Sequence, residues 1–192
     1  MDVLFAQSIG IFIYCLLLAW LEVQIEGEAG WAANLPTWRR QPAWAKKDSR
    51  FFAFLRAAFR VTSGGNELTG YHLAMTLLVF CSLMLPVLMA TPTLALFARC
   101  LGFFFLTLVT WDFLWFVLNP AFGVRRFNKQ AIKWHPRWLG PVPAAYPFGY
   151  TFGAACVAYS AGSDWRTFVI APLTVLVLVG ACIAIVEARR VR

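Results

Sequence analysis

Residues 110–120 decide the fold class, and they read Thr-Trp-Asp-Phe-Leu-Trp-Phe-Val-Leu-Asn-Pro. This stretch closes a long apolar run, yet it contains one carboxylate, Asp112. An apolar run of about 18 residues or more can span a bilayer as a helix. A charged side chain at the bilayer centre costs roughly 2.5–3.5 kcal/mol on insertion scales. The stretch therefore predicts a membrane helix in which some other feature offsets the cost of a carboxylate.

The composition of the whole chain agrees with this interpretation. Its 192 residues are 60% hydrophobic and only 14% charged, whereas about 25% of the residues of a soluble domain are charged. The apolar runs do not alternate in polarity, which excludes the strands of a membrane β-barrel. The predicted fold class is all-α, a polytopic membrane protein in which residues 1–192 form a single membrane domain.

Five apolar runs are predicted to cross the membrane as helices. They cover about residues 3–23, 69–89, 93–118, 141–161 and 167–186. The first run has no basic start and no small-residue cleavage site, so we expect a retained helix and not a signal peptide. In addition, residues 50–61 combine an apolar stripe with arginines on another face, a pattern typical of an amphipathic helix that lies at the membrane interface.

One pair of glycines predicts close contact between helices. Gly149 and Gly153 have the GxxxG spacing within the fourth run. Small residues at this spacing allow two membrane helices to approach closely. The partner helix is either within the chain or in a second copy, and a homo-oligomer through these glycines is one expectation.

The formal charge of +8 is concentrated at one side of the predicted bundle. Residues 22–69 contain seven Lys and Arg, residues 121–140 contain five, and the C-terminal tail contains three. The positive-inside rule then places the N-terminus outside and the C-terminus in the cytoplasm, which suits a bacterial inner membrane. Basic loops next to membrane helices indicate contact with membrane lipid, and we expect no nucleic-acid partner.

This topology brings the polar residues of the predicted spans to one depth. Glu22 and Glu26 lie at the end of the first span, and His72 lies at the start of the second. Asp112 lies about 10 Å inside the end of the third span, at 1.5 Å per residue, and His135 lies in the loop that follows. Polar groups at membrane depth indicate a functional site and require a partner.

A metal site is the first interpretation of this cluster. Carboxylates and imidazoles are ligands of zinc, iron and manganese, so the predicted ligands are Glu22, Glu26, His72, Asp112 and His135. The sequence contains no HxxxH, HExxH or ExxH pair that would strengthen the prediction. Two histidines are also too few for the histidine-rich class of membrane desaturases and hydroxylases.

Two further interpretations stay open. In the first, Asp112 or Glu26 works with His72 in acid–base catalysis without a metal. In the second, the cluster is structural, and its acids form ion pairs with Arg39, Arg40, Arg125 or Arg126.

These interpretations lead to different functions. The catalytic ones predict a membrane-embedded enzyme that acts on a lipid or other amphiphilic substrate at the cytoplasmic side. The structural one predicts a non-catalytic membrane subunit, or a protein that binds a lipid or an amphiphilic small molecule. The sequence does not decide whether the chain is an enzyme.

Overall fold

The structure is a computed structural model, and it describes residues 3–40, 67–135, 137–162 and 165–190. Five α-helices lie within these residues: α1 Val3–Glu26, α2 Gly70–Met89, α3 Leu94–Leu118, α4 Ala145–Ser160 and α5 Trp165–Arg190. The predicted all-α class is confirmed. The amphipathic helix predicted at residues 50–61 lies outside the described residues.

In the part of the chain that the structure describes, four helical segments are long and apolar enough to cross a membrane, and they indicate an integral membrane protein. They are α1, α2, α3 and the part of α5 from Val169 to Arg190. The fourth predicted span, residues 141–161, contains α4, which has 16 residues. A straight helix of this length is shorter than the roughly 20 residues that cross a bilayer. The total of five spans therefore stays a prediction.

Two threonines define the starts of the second and third helices. Thr69 precedes α2, and its hydroxyl accepts a hydrogen bond from the backbone N–H of His72 at 3.1 Å. Thr93 precedes α3 and accepts from the N–H of Leu96 at 3.1 Å. Each hydroxyl satisfies a backbone donor that the first turn of a helix leaves unpaired. The short connection between α2 and α3 makes the two helices an antiparallel hairpin.

Helix α3 is the centre of the bundle. It packs on α1, α2 and α4 and makes fewer contacts with α5, which lies against α1 and α4. More than half of its residues are buried, among them Trp111, Leu114, Trp115 and Phe116. The stretch 110–120 therefore lies at the core, and Asp112 is carried by the most enclosed helix of the described chain.

The two glycines of the GxxxG spacing contact α3 of the same chain. A Cβ atom on Gly153 would lie 2.9 Å from the carbonyl oxygen of Gly102, and one on Gly149 would lie 2.6 Å from Cγ2 of Val109. Both distances are too short for a side chain, so the glycines allow α4 to approach α3 closely. This face is occupied within the chain, and a homo-oligomer would need another surface.

Short strand pairs hold the connecting segments beside the helix ends. Strand β1, Arg39–Arg40, pairs antiparallel with β2, Leu68–Thr69. Strand β3, Trp138–Leu139, pairs in the same way with β4, Val142–Pro143, and a short 3₁₀ helix covers Val124–Arg126. The first pair lies directly before α2 and the second directly before α4. We call the end of the bundle where α1 and α3 end and α2 begins the polar end.

A chain of hydrogen bonds connects three segments at the polar end. Nη2 of Arg190, near the end of α5, donates to the carbonyl oxygens of Val117 at 3.1 Å and Asn119 at 2.8 Å. Nδ2 of Asn119 in turn donates to the carbonyl oxygen of Gly27 at 2.8 Å. The last turn of α3 and the loop after α1 are thereby tied to the final turn of α5.

Candidate functional site

A cavity of about 430 Å³ lies at the polar end of the bundle. Aromatic rings make up much of its wall: Trp31, Phe104, Phe105, Trp111, Trp115, Phe116, Trp134, Tyr146 and Phe148. All five residues predicted for the site also line it: Glu22, Glu26, His72, Asp112 and His135. The volume falls within the range of small-molecule sites, which are mostly apolar with a few placed polar groups.

Glu22, Glu26 and His72 form the first polar group of the cavity. The two glutamates are buried and lie one helical turn apart on α1, so they share a face. Each of the three side chains offers a ligand atom, and these atoms lie within 4.8 Å of one another. Nε2 of His72 lies 3.4 Å from Oε1 of Glu26. Within the described ranges, no other such group of His, Cys, Asp and Glu occurs.

The imidazole of His72 is held in one orientation by two neighbours. Its Nδ1 lies 2.7 Å from Oγ1 of Thr69, the residue that also caps α2. Its ring stacks on the indole of Trp31, with centroids 4.4 Å apart. In the tautomer with the proton on Nδ1, Thr69 accepts that proton's hydrogen bond, and the lone pair of Nε2 is free to bind a cation.

The loop that follows α1 places Trp31 and Ala32 in an unusual backbone conformation. Their φ angles are 49° and 51°, in the left-handed region that residues with a side chain rarely adopt. The N–H of Ala32 donates to Oε1 of Glu26 at 2.5 Å. The guanidinium of Arg39 donates to the carbonyl oxygens of both loop residues. Contacts to the site therefore stabilise a strained loop, which is common at functional sites.

Asp112, Tyr146 and His135 form the second polar group. The hydroxyl of Tyr146 donates to Oδ2 of Asp112 at 2.5 Å. Nε2 of the buried His135 lies 3.2 Å from the same oxygen. The side chain of Asp112 is 41% exposed, and it lines the cavity. The group joins α3, α4 and the loop between them.

Three carboxylates line the cavity, and no lysine or arginine does so among the described residues of its wall. Asp112 lies within electrostatic reach of both glutamates. Carboxylates this close to one another in apolar surroundings require a cation, a shared proton or an arginine. The arrangement therefore suits a site for a metal ion or for proton transfer.

The ion pairs that the structural interpretation expected do not occur among the described residues, although Arg39 lies within electrostatic reach of Glu26. Arg39 donates to loop carbonyls, and Arg125 lies 3.9 Å from Glu187 of α5. Within those ranges, neither Arg40 nor Arg126 forms an ion pair with a carboxylate of the cavity. The physical reason is location: Arg125 and Arg126 lie in the 3₁₀ helix after α3, on the outside of the bundle end, with both side chains exposed.

Three contributors to the site were missed by the sequence analysis. Tyr146 had a usable signal, because the predicted topology puts the start of the fourth run at the depth of Asp112. Thr69 also had one, since a threonine three residues before His72 at a helix start predicts a cap. Trp31 had no such sequence signal. Its stacking on His72 depends on a left-handed backbone conformation, which the residue type does not predict.

Comparisons with protein-family models, curated proteins and solved structures find no match for this chain. The features that bear on function are those of the cavity: the ligand geometry of the first polar group, the hydrogen bond between Tyr146 and Asp112, and the apolar wall around them.

Proposed function

We propose that the chain is a membrane-embedded enzyme that binds one divalent metal ion through Glu22, Glu26 and His72 and acts on an amphiphilic substrate. The observation that carries this proposal is the approach of three ligand atoms to within 4.8 Å of one another at the wall of an aromatic cavity. Zinc, iron(II) and manganese(II) accept this set of oxygen and nitrogen ligands.

The surroundings of the three side chains support a cation. Two buried glutamates one turn apart repel each other unless a positive charge or a proton lies between them. Histidines that bind a metal usually have the second ring nitrogen held by a hydrogen bond, and Thr69 provides that contact for His72. Three protein ligands leave coordination positions open, as in catalytic and not structural sites. A bound ion would supply Lewis acidity to a substrate oxygen or to a water molecule.

The second polar group gives the proposed enzyme a proton donor and acceptor. The hydroxyl of Tyr146 donates a short hydrogen bond to Asp112 at the cavity wall. A hydroxyl or carboxylate so placed can give a proton to a leaving oxygen or remove one from a substrate hydroxyl. The buried ring of His135 lies beside Oδ2 of Asp112. The groups for acid–base catalysis and the groups for metal binding would thus line the same apolar cavity.

The proposal includes a membrane orientation and a number of spans. The basic loops support placing the polar end in the cytoplasm, the N-terminus outside and the C-terminus in the cytoplasm. With α4 as a short fifth span, the number of crossings is odd, as this orientation requires. We assign the protein to a bacterial inner membrane on the same basis.

A metal-free enzyme is the second candidate. The distance of 3.4 Å between Nε2 of His72 and Oε1 of Glu26 favours it, because a carboxylate beside an imidazole is a common general base. Both candidates use the same cavity and differ in whether a cation or a proton balances the glutamates. A non-catalytic protein that binds a lipid is the third reading, and it predicts neither metal nor turnover.

Metal analysis of the purified protein tests the proposal. Elemental analysis and titration with zinc, iron(II) and manganese(II) are expected to give one ion per chain for the wild type. Glu26→Gln and His72→Ala are expected to lose that ion. Glu28→Gln is the matched control, since Glu28 is exposed just after α1 and does not line the cavity. A folded wild type that binds none of the three metals would contradict the proposal and leave the metal-free candidate.

A further inference from the structure

We infer that the substrate is a lipid with a single hydrocarbon chain and an uncharged oxygen head, a hydroxyl or a carbonyl, which enters from the bilayer between α2 and α4. This inference deepens the proposed function by naming the substrate class, and it rests on that function for the chemistry of the head. The part that concerns the hydrocarbon chain rests on the shape of the cavity alone.

The cavity is elongated along α3. Its polar part lies at Asp112, and its wall continues past Leu108 to Phe105 and Phe104. These residues are separated by up to eight positions on one helix, which is about 12 Å at 1.5 Å per residue. A compact polar substrate would leave this apolar extension empty, whereas a hydrocarbon chain would fill it.

The extension is bordered at its side by α2 and α4. Helices α2 and α4 both pack on α3, but they make hardly any contact with each other. Leu73 of α2 and Phe148 of α4 line the cavity and are exposed, at 36% and 57%. In a bundle embedded in a membrane, the space beside these two side chains is lipid. An amphiphile could therefore slide in sideways without leaving the bilayer.

The charges at the polar part of the cavity indicate which kind of lipid head group can bind there. Three carboxylates line the cavity, and no lysine or arginine does so within the described residues. A divalent ion would be balanced by Glu22 and Glu26, and Asp112 would still leave the site acidic. A phosphate or carboxylate head would thus meet like charge, which is strongly unfavourable in apolar surroundings. An ammonium head has no lone pair with which to coordinate the metal ion, so a neutral oxygen fits best.

Binding of tritiated dodecanol to the purified protein tests this inference. We expect saturable binding to the wild type. Leu73→Trp narrows the lateral opening and is expected to slow the association of dodecanol by roughly tenfold or more. Leu78→Trp is the matched control, because Leu78 is also an exposed leucine of α2 but does not line the cavity. Equal association rates in the two variants would overturn lateral entry.

The assignment of an uncharged head group is tested with the wild-type protein. Dodecanol, dodecanoic acid and dodecylamine have the same chain, and each is used to compete with the tritiated alcohol. The acid and the amine are expected to compete more weakly than the alcohol, by roughly tenfold or more. Competition by the acid or the amine that equals or exceeds that of the alcohol would overturn the assignment of the head.

Metal content measured on the same samples separates this inference from the proposed function. A wild type that binds dodecanol but no metal would contradict the metal-dependent enzyme and support the lipid site. A wild type that holds a metal ion but shows no saturable dodecanol binding would overturn the substrate class and leave the metal site in place.

Discussion

Trp31 stacks on His72, with ring centroids 4.4 Å apart, from a backbone conformation that tryptophan rarely adopts, at φ 49°. The next residue, Ala32, has a φ of 51° and donates its N–H to Glu26. Two consecutive strained residues therefore contact two of the three proposed metal ligands. The loop after α1 is held in place by what it touches, and its strain can be measured.

Replacing Ala32 by glycine is expected to relieve backbone strain. The left-handed conformation costs a residue with a Cβ atom roughly 1–2 kcal/mol, whereas glycine adopts it freely at some entropic cost in the unfolded chain. We expect Ala32→Gly to leave the free energy of unfolding unchanged or to raise it by up to about 1 kcal/mol. Reversible unfolding in detergent micelles measures this change.

The neighbouring residue provides the control for that measurement. Ala33 is exposed and is not among the residues with positive φ. Ala33→Gly only adds freedom to the unfolded chain, so it is expected to lower the free energy of unfolding by about 0.4–1 kcal/mol. Equal losses in the two variants would show that the conformation of Ala32 stores no strain.

Thr69 is expected to act on the helix cap and on metal binding at the same time. Thr69→Val removes the hydroxyl that accepts from the N–H of His72 and holds its Nδ1. We expect a loss of about 1 kcal/mol in stability and a metal affinity that is lower by about 10–100-fold. Thr69→Ser should retain both properties. Calorimetric titration with the metal and thermal unfolding give the two numbers.

A substitution at Thr93 separates the effect of Thr69 on stability from its effect on metal affinity. It caps α3 through the same hydrogen bond, at the far end of α2 from the cavity. Thr93→Val is expected to cost about as much stability as Thr69→Val, with metal affinity unchanged. If Thr69→Val kept the affinity of the wild type, the hydroxyl would have no part in orienting His72.

Glu22 is expected to lower stability in the absence of metal and to raise it in its presence. Without a cation, Glu22 and Glu26 place two carboxylates in one buried space, so Glu22→Gln should raise the free energy of unfolding of chelator-treated protein by about 1 kcal/mol. With metal at about 100 times its dissociation constant, the wild type should gain about 2.7 kcal/mol. The variant should gain far less.

Exposed Glu28 provides the matched control for Glu22. Glu28→Gln should follow the wild type both with chelator and with metal, because this carboxylate lies outside the cavity. Thermal unfolding curves of the three proteins, each recorded in both conditions, contain the full comparison. A Glu22→Gln variant that gained as much from metal as the wild type would remove Glu22 from the ligand set.

Because α3 and α4 are in close contact, we expect that adding even one methyl group between them lowers the stability of the protein. Gly153→Ala would put Cβ 2.9 Å from the carbonyl oxygen of Gly102, so we expect a loss of about 1–3 kcal/mol in stability. At Gly180 of α5 a Cβ atom would meet nothing within 4 Å. Gly180→Ala should therefore be neutral or stabilising by about 0.5–1 kcal/mol. Similar outcomes at both positions would contradict the packing of α4 on α3.

The sequence predicted much of the fold because apolar length is a strong signal. The run 93–118 became α3, Leu94–Leu118, and the run 69–89 became α2, Gly70–Met89. The run 141–161 was less informative. Its first residues include β4, which pairs with the preceding β3 instead of joining the helix. Pro141, Pro143 and Pro147 lie near that boundary. Proline removes a backbone donor, so hydrophobicity alone misplaces such a start.

The site was predictable in its composition and not in its detail. The charges of the loops predict an orientation, and that orientation places Glu26, His72, Asp112 and His135 at one depth. Depth alone does not tell which side chains touch. That Asp112 contacts Tyr146, while Glu26 lies beside His72, depends on helix rotation and on the loop conformation. Neither has a signature in the residue pattern.

The contact from Arg190 to the end of α3 also bears on how the protein is made. Helix α1 and its glutamates are synthesised first, and α5 is synthesised last. Until Arg190 is in place, the carbonyl oxygens of Val117 and Asn119 lack their guanidinium donor. Asn119 is also the residue that holds Gly27, at the start of the strained loop. The hydrogen bonds that hold the end of α3 and the loop after α1 are therefore complete only after the ribosome has finished α5.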